Sequence, residues 1–159
     1  MNEKFLHPEA ITSADWLAQN LSDATLRIFE CTTYLDPPTE GTDAPYTVRS
    51  GAADFAAGHI PGAGCLDLQN ELSDSSSASY LRFTMPSPDQ LAAAMAGRGV
   101  SENTHVVLYS RGNMQWATRG WWMLRAIGFD NASVLDGGWD KWVQDGKPVS
   151  TEPCGYPVG

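Results

Sequence analysis

The chain has 159 residues, a formal net charge of −9 and 42% apolar residues in short, interrupted segments. This length suits one domain with a sizeable core, and no apolar run approaches the roughly 20 residues of a membrane-spanning helix. Phosphate binding needs clustered lysine and arginine, so the acidic charge argues against a nucleic-acid partner. The first four residues lack the basic-then-apolar order of a signal peptide. These features predict a soluble, cytoplasmic protein that binds neither nucleic acid nor membrane.

The cysteine content predicts free thiols. The three cysteines, Cys31, Cys65 and Cys154, are odd in number and widely spaced, which fits neither a disulfide framework nor a zinc site. We therefore expect reduced thiols in a reducing compartment, with no metal or other cofactor. Cys31 and Cys65 lie in predicted strands and are expected to be small core residues, whereas Cys154 is expected to be an exposed thiol in the tail.

The first half of the chain predicts short elements separated by turns. Thr12 or Ser13 can cap a helix over 12–21, and Gly58 ends a short helix over 52–57. Residues 34–50 are rich in Pro, Gly, Thr and Asp, and they predict a long loop. The remaining predicted elements are a strand over 26–31, a turn over 59–63, a strand over 64–68 and a serine-rich loop over 73–79.

The second half has the clearer signals. Ser87, Pro88 and Asp89 predict a helix start, with the helix running to about Gly97. The continuous apolar run over 105–109 predicts a strand buried on both faces. It is followed by a polar loop over 110–115, a helix over 116–127, a strand over 132–135, a turn over 136–138 that Asp136 caps, and a helix over 139–144. The alternation predicts an α/β fold, a mostly parallel sheet flanked by helices, with ligands at the carboxyl ends of its strands.

Three motifs in this order carry a family resemblance. GHIPGA at 58–63 resembles the first rhodanese signature, and VLDGGW at 134–139 resembles the second. VVLY at 106–109 resembles the strand that ends at the catalytic cysteine of that family. Long segments at 34–50 and 69–86 are similar to the first domain of tandem thiosulfate and 3-mercaptopyruvate sulfurtransferases. The resemblance implies a rhodanese-like domain over 1–149 and a tail over 150–159 that resembles an interdomain linker.

The resemblance also implies a chemistry. In this family a cysteine thiolate takes sulfane sulfur from a donor, becomes a persulfide and passes the sulfur to an acceptor. The anionic sulfur is held by backbone N–H groups at a helix N-terminus, which lowers the pKa of the cysteine. Ser110 stands at the position of that cysteine, and an oxygen nucleophile does not form a persulfide. In the tandem enzymes the first domain usually lacks the cysteine.

The predicted site is the loop after the buried strand. Ser110 stands at the catalytic position, and Gly112 permits the unusual backbone angles of an anion-binding loop. Arg119 is expected to make either a structural ion pair or an anion contact. The candidate anion- or substrate-binding residues are Arg111, Gly112, Asn113, Met114, Gln115 and Arg119.

No base that could activate the serine is evident in the sequence. His105 starts the strand that Ser110 ends, and five residues at about 3.3 Å each place the two about 16 Å apart. His59 lies in a motif that indicates a structural turn, and His7 lies near the N-terminus. A Ser-His-Asp triad on this strand is therefore not expected.

Three functions remain open from the sequence. One is a non-catalytic rhodanese domain that supports or regulates a catalytic partner, for which a second rhodanese domain is the candidate, or that binds a small sulfur-containing anion or thiol. A second is an active sulfurtransferase whose cysteine is supplied elsewhere or was engineered to Ser110. A phosphatase relative ranks last, because it also needs a cysteine, a longer loop and a terminal arginine close to it. Because loop 110–115 joins a buried strand to a helix N-terminus, it predicts a preformed anion site. It also predicts that Ser110→Cys makes a reactive thiol with a lowered pKa but a poor enzyme.

Overall fold

The structure is a computed structural model that describes residues 5–76 and 81–157. Its helices are a 3₁₀ turn (Pro8–Ala10), α1 (Ala14–Gln19), α2 (Ala52–Ala57), α3 (Pro88–Gly97), α4 (Gln115–Ala126) and α5 (Gly138–Gln144). Its strands are β1 (Ile11–Thr12), β2 (Leu26–Glu30), β3 (Thr33–Asp36), β4 (Thr47–Ser50), β5 (Gly64–Cys65), β6 (His105–Tyr109) and β7 (Ala132–Leu135). Two expectations, for the first four residues and for the serine-rich loop at 77–79, lie outside the described residues.

A five-stranded parallel sheet forms the centre of the domain, in the order β1-β7-β6-β2-β5. The prediction of a mostly parallel sheet flanked by helices is confirmed. The apolar run of β6 takes the central position, where it pairs with β2 on one side and β7 on the other. In the described part of the chain, no helix has both the length and the apolar character needed to cross a membrane.

The alternation of side chains along β6 divides the core into two layers. Val106 and Leu108 point to the face covered by α3 and α4, whose buried residues include Met95 and Leu124. On the opposite face, Val107 and Tyr109 pack with Leu17 of α1 and Trp142 of α5. The strand that leads to Ser110 is therefore fixed from both sides by packing.

Helix starts follow the sequence signals closely. The Ser13 hydroxyl accepts a hydrogen bond from the Trp16 N–H at 3.1 Å, and the Ser87 hydroxyl accepts one from the Gln90 N–H at 3.2 Å. The first helix is shorter than predicted because Thr12 belongs to β1. The strand predicted over 64–68 is also shorter, since only its first two residues form the ladder with β2.

The prediction of a loop over 34–50 is wrong. Strands β3 and β4 pair as an antiparallel hairpin, with Thr33 opposite Ser50 and Asp36 opposite Thr47. The Arg49 side chain crosses the hairpin to Asp36, at 2.7 Å between Nε and Oδ2. Each strand has only four residues, and a Pro- and Gly-containing connection separates them. Strands this short show too few alternating apolar and polar residues to be recognised in the sequence.

The turn over 136–138 brings α5 against the loop after β6. Gly137 and Gly138 have φ of +73° and +55°, as expected of a glycine turn. A Cβ on Gly138 would lie 2.5 Å from the Ser110 carbonyl oxygen, so the close approach requires glycine. The expectation that Asp136 caps α5 is wrong, because Gly137 is the N-cap residue and no side chain caps the helix.

Residues 148–157, here called the strap, pack on the domain rather than forming a loose tail. The Trp142 Nε1–H donates to the Pro148 carbonyl at 2.7 Å. Ser150 and His59 exchange two backbone hydrogen bonds of 2.9 Å. Further along, the Tyr156 hydroxyl accepts from the Ile28 N–H at 3.0 Å. Side chains and backbone of the domain thus hold the strap at three points.

Candidate functional site

Ser110 lies at the carboxyl end of β6, where loop 110–115 joins the strand to α4. Its side chain is buried, with 3% of the residue exposed. The Ser110 hydroxyl donates to the Asn113 carbonyl at 2.6 Å, and the Ser110 carbonyl accepts from the Trp139 N–H at 3.2 Å. The hydroxyl is therefore turned into the loop and used in a structural hydrogen bond.

The histidines of the described residues bond to other groups. His59 is buried, and its two ring nitrogens lie at carbonyl oxygens of Phe55 and Glu152. His105 Nε2 lies 3.1 Å from the Ser133 hydroxyl. His7 contacts Glu9 on the surface. The expectation that no histidine activates Ser110 agrees with these contacts.

The Arg111 side chain forms a buried ion pair with Glu30, the last residue of β2. Its Nε and Nη2 lie 2.5 Å and 3.1 Å from the two carboxylate oxygens, and Glu30 is fully buried. The guanidinium also donates to the Gly58 carbonyl and stacks over the Trp139 ring at 4.2 Å. Burial lowers the pKa of Arg111, but the hydrogen bond and charge of Glu30 outweigh it and raise that pKa. The charge of Arg111 is thus neutralised by the buried carboxylate of Glu30.

Four backbone N–H groups of the loop have acceptors inside the protein. The Arg111 N–H donates to Thr32 Oγ1 at 3.1 Å, and the Gly112 N–H donates to Asp140 Oδ2 at 2.9 Å. Within the loop, the Asn113 N–H donates to the Arg111 carbonyl at 2.8 Å, and the Gln115 N–H donates to Asn113 Oδ1 at 3.0 Å. Gly112 has φ of +74°, the positive value that its glycine permits. The Gly112 N–H is therefore bonded to a carboxylate of the protein.

Two further candidate residues, Arg119 and Met114, contact other parts of the domain. Arg119 donates to the Phe83 carbonyl at 2.6 Å and lies over the Trp122 ring at 5.1 Å. Burial lowers the pKa of Arg119. Its hydrogen-bond partner is a neutral carbonyl rather than an acid, and an anion contact of Arg119 stays a prediction. Met114 is the N-cap residue of α4, and its side chain packs against the core.

Sequence reasoning missed the groups that fix the loop. Glu30 is the last residue of β2, and Thr32 follows two positions later. The Thr32 hydroxyl donates to the Glu30 carboxylate at 2.8 Å. Burial and the Glu30 charge raise the pKa of the Tyr109 hydroxyl well above its usual value. Since β2 pairs with β6 and places Glu30 opposite Tyr109, an acid at the end of a neighbouring strand was the available signal.

None of the three cysteines, all of them free, has the properties of an activated thiol. Cys31 is buried as expected, and burial raises the pKa of its thiol. Burial also raises the pKa of Cys65 to about 11. Cys154 is partly buried rather than exposed, and burial raises its pKa as well. A reactive cysteine has a lowered pKa, so these thiols are poor nucleophiles.

The parallel sheet, the turn over 58–63 and the strand–loop–helix at Ser110 define a rhodanese-type α/β domain. The chain belongs to the rhodanese-like domain family, whose model matches residues 13–145. The chain is 36% identical over 132 residues to the 3-mercaptopyruvate sulfurtransferase of Escherichia coli K12, covering 83% of the chain and 43% of that protein. It is 37% identical over 150 residues to the thiosulfate sulfurtransferase of Gallus gallus, covering 91% of the chain and 47% of that protein.

Solved structures agree with this assignment. The crystal structure of SseA from Escherichia coli, a 3-mercaptopyruvate sulfotransferase, superposes with a TM-score of 0.75 at 33% sequence identity. The match covers 94% of this chain and 53% of that one. The family resemblance and fold expected from the three motifs are confirmed, and the chain spans about half the length of the curated relatives it matches.

Proposed function

We propose that this chain is a non-catalytic rhodanese domain that supports or regulates a catalytic partner domain. The observation that carries the proposal is the Ser110 hydroxyl, which is buried at the position of the family cysteine and donates to the Asn113 carbonyl. A hydroxyl cannot form a persulfide, and it stays protonated near neutral pH without an adjacent base. The chain therefore belongs to a sulfurtransferase family but lacks the nucleophile for sulfur transfer.

The internal contacts of loop 110–115 support the same proposal. Glu30 neutralises Arg111, and Asp140 accepts from the Gly112 N–H. In a loop that stabilises a thiolate, the positive charge and the backbone N–H groups point at the sulfur. In this chain, Glu30 pairs with the Arg111 charge and Asp140 accepts from the Gly112 N–H instead. Binding of a small anion at this loop stays a prediction, and such an anion would compete with Asp140.

A second rhodanese domain is the partner that we propose. The two sulfurtransferase relatives are about twice as long as the matched region, since the chain covers 43% of one and 47% of the other. The sulfur donor and acceptor, a small sulfur-containing anion and a thiol or similar group, would then bind at the partner. A cytoplasmic location remains part of the proposal, supported by the free thiols of Cys31, Cys65 and Cys154.

The alternative is an active sulfurtransferase whose cysteine was engineered to Ser110 or comes from elsewhere. The burial-raised pKa values of Cys31, Cys65 and Cys154 disfavour rescue by a thiol of this chain. The natural coding sequence distinguishes the two proposals. A serine codon at 110 followed by a rhodanese domain with a loop cysteine supports the non-catalytic role. A cysteine codon at 110 would support the alternative.

Sulfur transfer by the purified chain is the direct test. Thiocyanate production from cyanide is measured with thiosulfate and with 3-mercaptopyruvate as donors, beside a variant in which all three cysteines are alanine. We expect no thiocyanate above background in either protein, because the position of the nucleophile holds a hydroxyl. Turnover that persists in the cysteine-free variant would overturn the proposal.

A further inference from the structure

A second cavity, of about 480 Å³, lies beside the edge strand β1. Its walls come from the 3₁₀ turn, β1, α1, the start of β6 and the residue before β7. His105 lines it and is the first residue of β6, whereas Ser110 follows the last residue of that strand. Five residues at about 3.3 Å each separate the two by about 16 Å. The cavity is therefore distinct from the position of the family cysteine.

Two aromatic rings line this cavity. The Trp16 indole of α1 lies 5.6 Å from the His105 ring, with 57° between their planes, and 40% of Trp16 is exposed. A chain of buried hydroxyls holds the histidine, since its Nε2 lies 3.1 Å from Ser133 Oγ and this oxygen lies 2.5 Å from Thr12 Oγ1. The structure therefore presents an ordered aromatic surface to the cavity, and tryptophan is the side chain whose face attracts cations most strongly.

The charge that lines the cavity is negative. A hydrogen bond from its own backbone N–H and one from the His7 side chain lower the pKa of Glu9, so its carboxylate is ionised near neutral pH. Burial lowers the pKa of His105, and the Asp23 charge opposes this only in part, so the imidazole is neutral at pH 7.5. Among the described residues that line the cavity there is no lysine or arginine. A cation that enters therefore meets a carboxylate and no repelling charge in the lining.

Two basic groups outside the lining act on Glu9. The His7 Nδ1 lies 3.0 Å from Glu9 Oε1 on the surface, and the charge of Arg125 also reaches this carboxylate. Arg125 has a carboxylate of its own, Asp130, at 3.9 Å. The chain as a whole carries a formal net charge of −9, which raises the local concentration of cations around it.

We propose that this cavity binds a small organic ammonium ion, with its alkyl groups against the Trp16 ring and its charge next to the Glu9 carboxylate. The volume of about 480 Å³ is within the range of small-molecule sites. A metal ion fits less well, because in the described part of the chain no cluster of His, Cys, Asp and Glu could hold one. An anion would be repelled by Glu9. The proposal is independent of the function proposed for the domain, because it uses none of the residues of loop 110–115.

The test compares a cation with its neutral twin. Choline is titrated into the purified chain at pH 7.5, beside the alcohol in which a tert-butyl group replaces the trimethylammonium group. The readout is the resonances of the Trp16 indole N–H and of the Ser13 and Asn131 amides, whose residues line the cavity. We expect saturating shifts with choline and about tenfold weaker binding of the alcohol, because it lacks the charge that the indole and the carboxylate attract.

Two variants with matched controls locate the site. Trp16→Leu should weaken choline binding by about fivefold, whereas Trp122→Leu, at a similarly exposed tryptophan outside this lining, should leave it unchanged. Glu9→Gln should weaken it by about threefold, whereas Glu152→Gln on the strap should not. Both altered side chains are exposed, so the fold does not depend on them.

Four results would overturn the proposal. They are the absence of shifts at the three positions, shifts that appear only elsewhere, equal affinities for choline and the neutral alcohol, and equal losses in the Trp16 and Trp122 variants.

Discussion

Asp140 of α5 accepts a hydrogen bond from the Gly112 N–H at 2.9 Å, across 28 positions of sequence. The carboxylate is exposed at the mouth of the loop, and it comes from the helix that the 136–138 turn presses against Ser110. A carboxylate of the protein therefore accepts a hydrogen bond from one backbone N–H of loop 110–115.

Removal of the Asp140 carboxylate should open the loop to small anions. Asp140→Ala frees the Gly112 N–H and deletes a repelling charge, so we expect sulfate to bind about tenfold more tightly than to the unmodified chain. The measurement is a sulfate titration that follows the amide resonances of 110–116 at constant ionic strength. Asp130→Ala, with the same charge change on a distant exposed residue, should leave these resonances unaffected. Equal affinities in all three proteins would contradict the competition.

Loss of the Glu30 charge should destabilise the domain. Glu30→Gln leaves the Arg111 guanidinium without its counter-ion in a site where the arginine side chain is 15% exposed and the carboxylate fully buried. Breaking such a pair from one side costs about 3–5 kcal/mol of unfolding free energy. Urea unfolding measures the loss.

The hairpin supplies the control for this variant. Asp36→Asn breaks the Arg49 pair, whose side chains are 53% and 38% exposed, so it should cost less than about 1 kcal/mol. If both variants lose the same free energy, the buried pair has no special structural role.

The sequence indicates the position of the site but not its internal contacts. The apolar run of β6 and the DGG turn are local patterns, and both appear in the structure where they were expected. The contacts of Arg111 with Glu30 and of Gly112 with Asp140 join residues 81 and 28 positions apart. They depend on strand register and on the approach of α5, which no local pattern encodes. The hairpin was missed for a related reason, since its stability comes from pairing rather than from the composition of 34–50.

The stability of the domain should depend on His105 in mildly acid solution. Burial lowers the pKa of His105, and the nearby Asp23 charge opposes this only in part. Above the unfolded value of about 6.5 the ring is neutral in both states. As the pH falls below that value, the unfolded chain takes up the proton before the folded one does, so the folded state loses stability.

Unfolding free energies of the chain and of His105→Gln, measured from about pH 7.5 to about pH 5, isolate this contribution. The difference between the two proteins should shrink or change sign toward acid, because only the unsubstituted chain carries the partly buried imidazole of His105. Since all other ionisable groups are the same in both proteins, their effects cancel in the difference. A difference that stays constant with pH would contradict the assignment to His105.

Ser110→Cys should make an unreactive thiol, contrary to what the loop sequence alone suggests. The new sulfur would lie beside the Asn113 carbonyl, which accepts a hydrogen bond from the Ser110 hydroxyl in the structure, at a position that is 3% exposed. The Gly112 N–H is held by Asp140, and the Arg111 charge is paired with Glu30, so neither is free to stabilise a thiolate. We expect iodoacetamide to react slowly at pH 7, with an apparent pKa at or above about 8.5.

Adding Asp140→Ala to the Ser110→Cys protein shows whether the Asp140 carboxylate is what keeps the loop from stabilising an anion. With the carboxylate gone, the Gly112 N–H can turn to the sulfur, so alkylation should accelerate and its apparent pKa should fall below about 8.5. Alkylation rates against pH are compared in a background without the native cysteines, with Ala93→Cys on the exposed face of α3 as the reference thiol. If Ser110→Cys alone reacts faster at pH 7 than this reference, the internal carboxylates do not close the loop, and an engineered serine in an active sulfurtransferase becomes the better explanation.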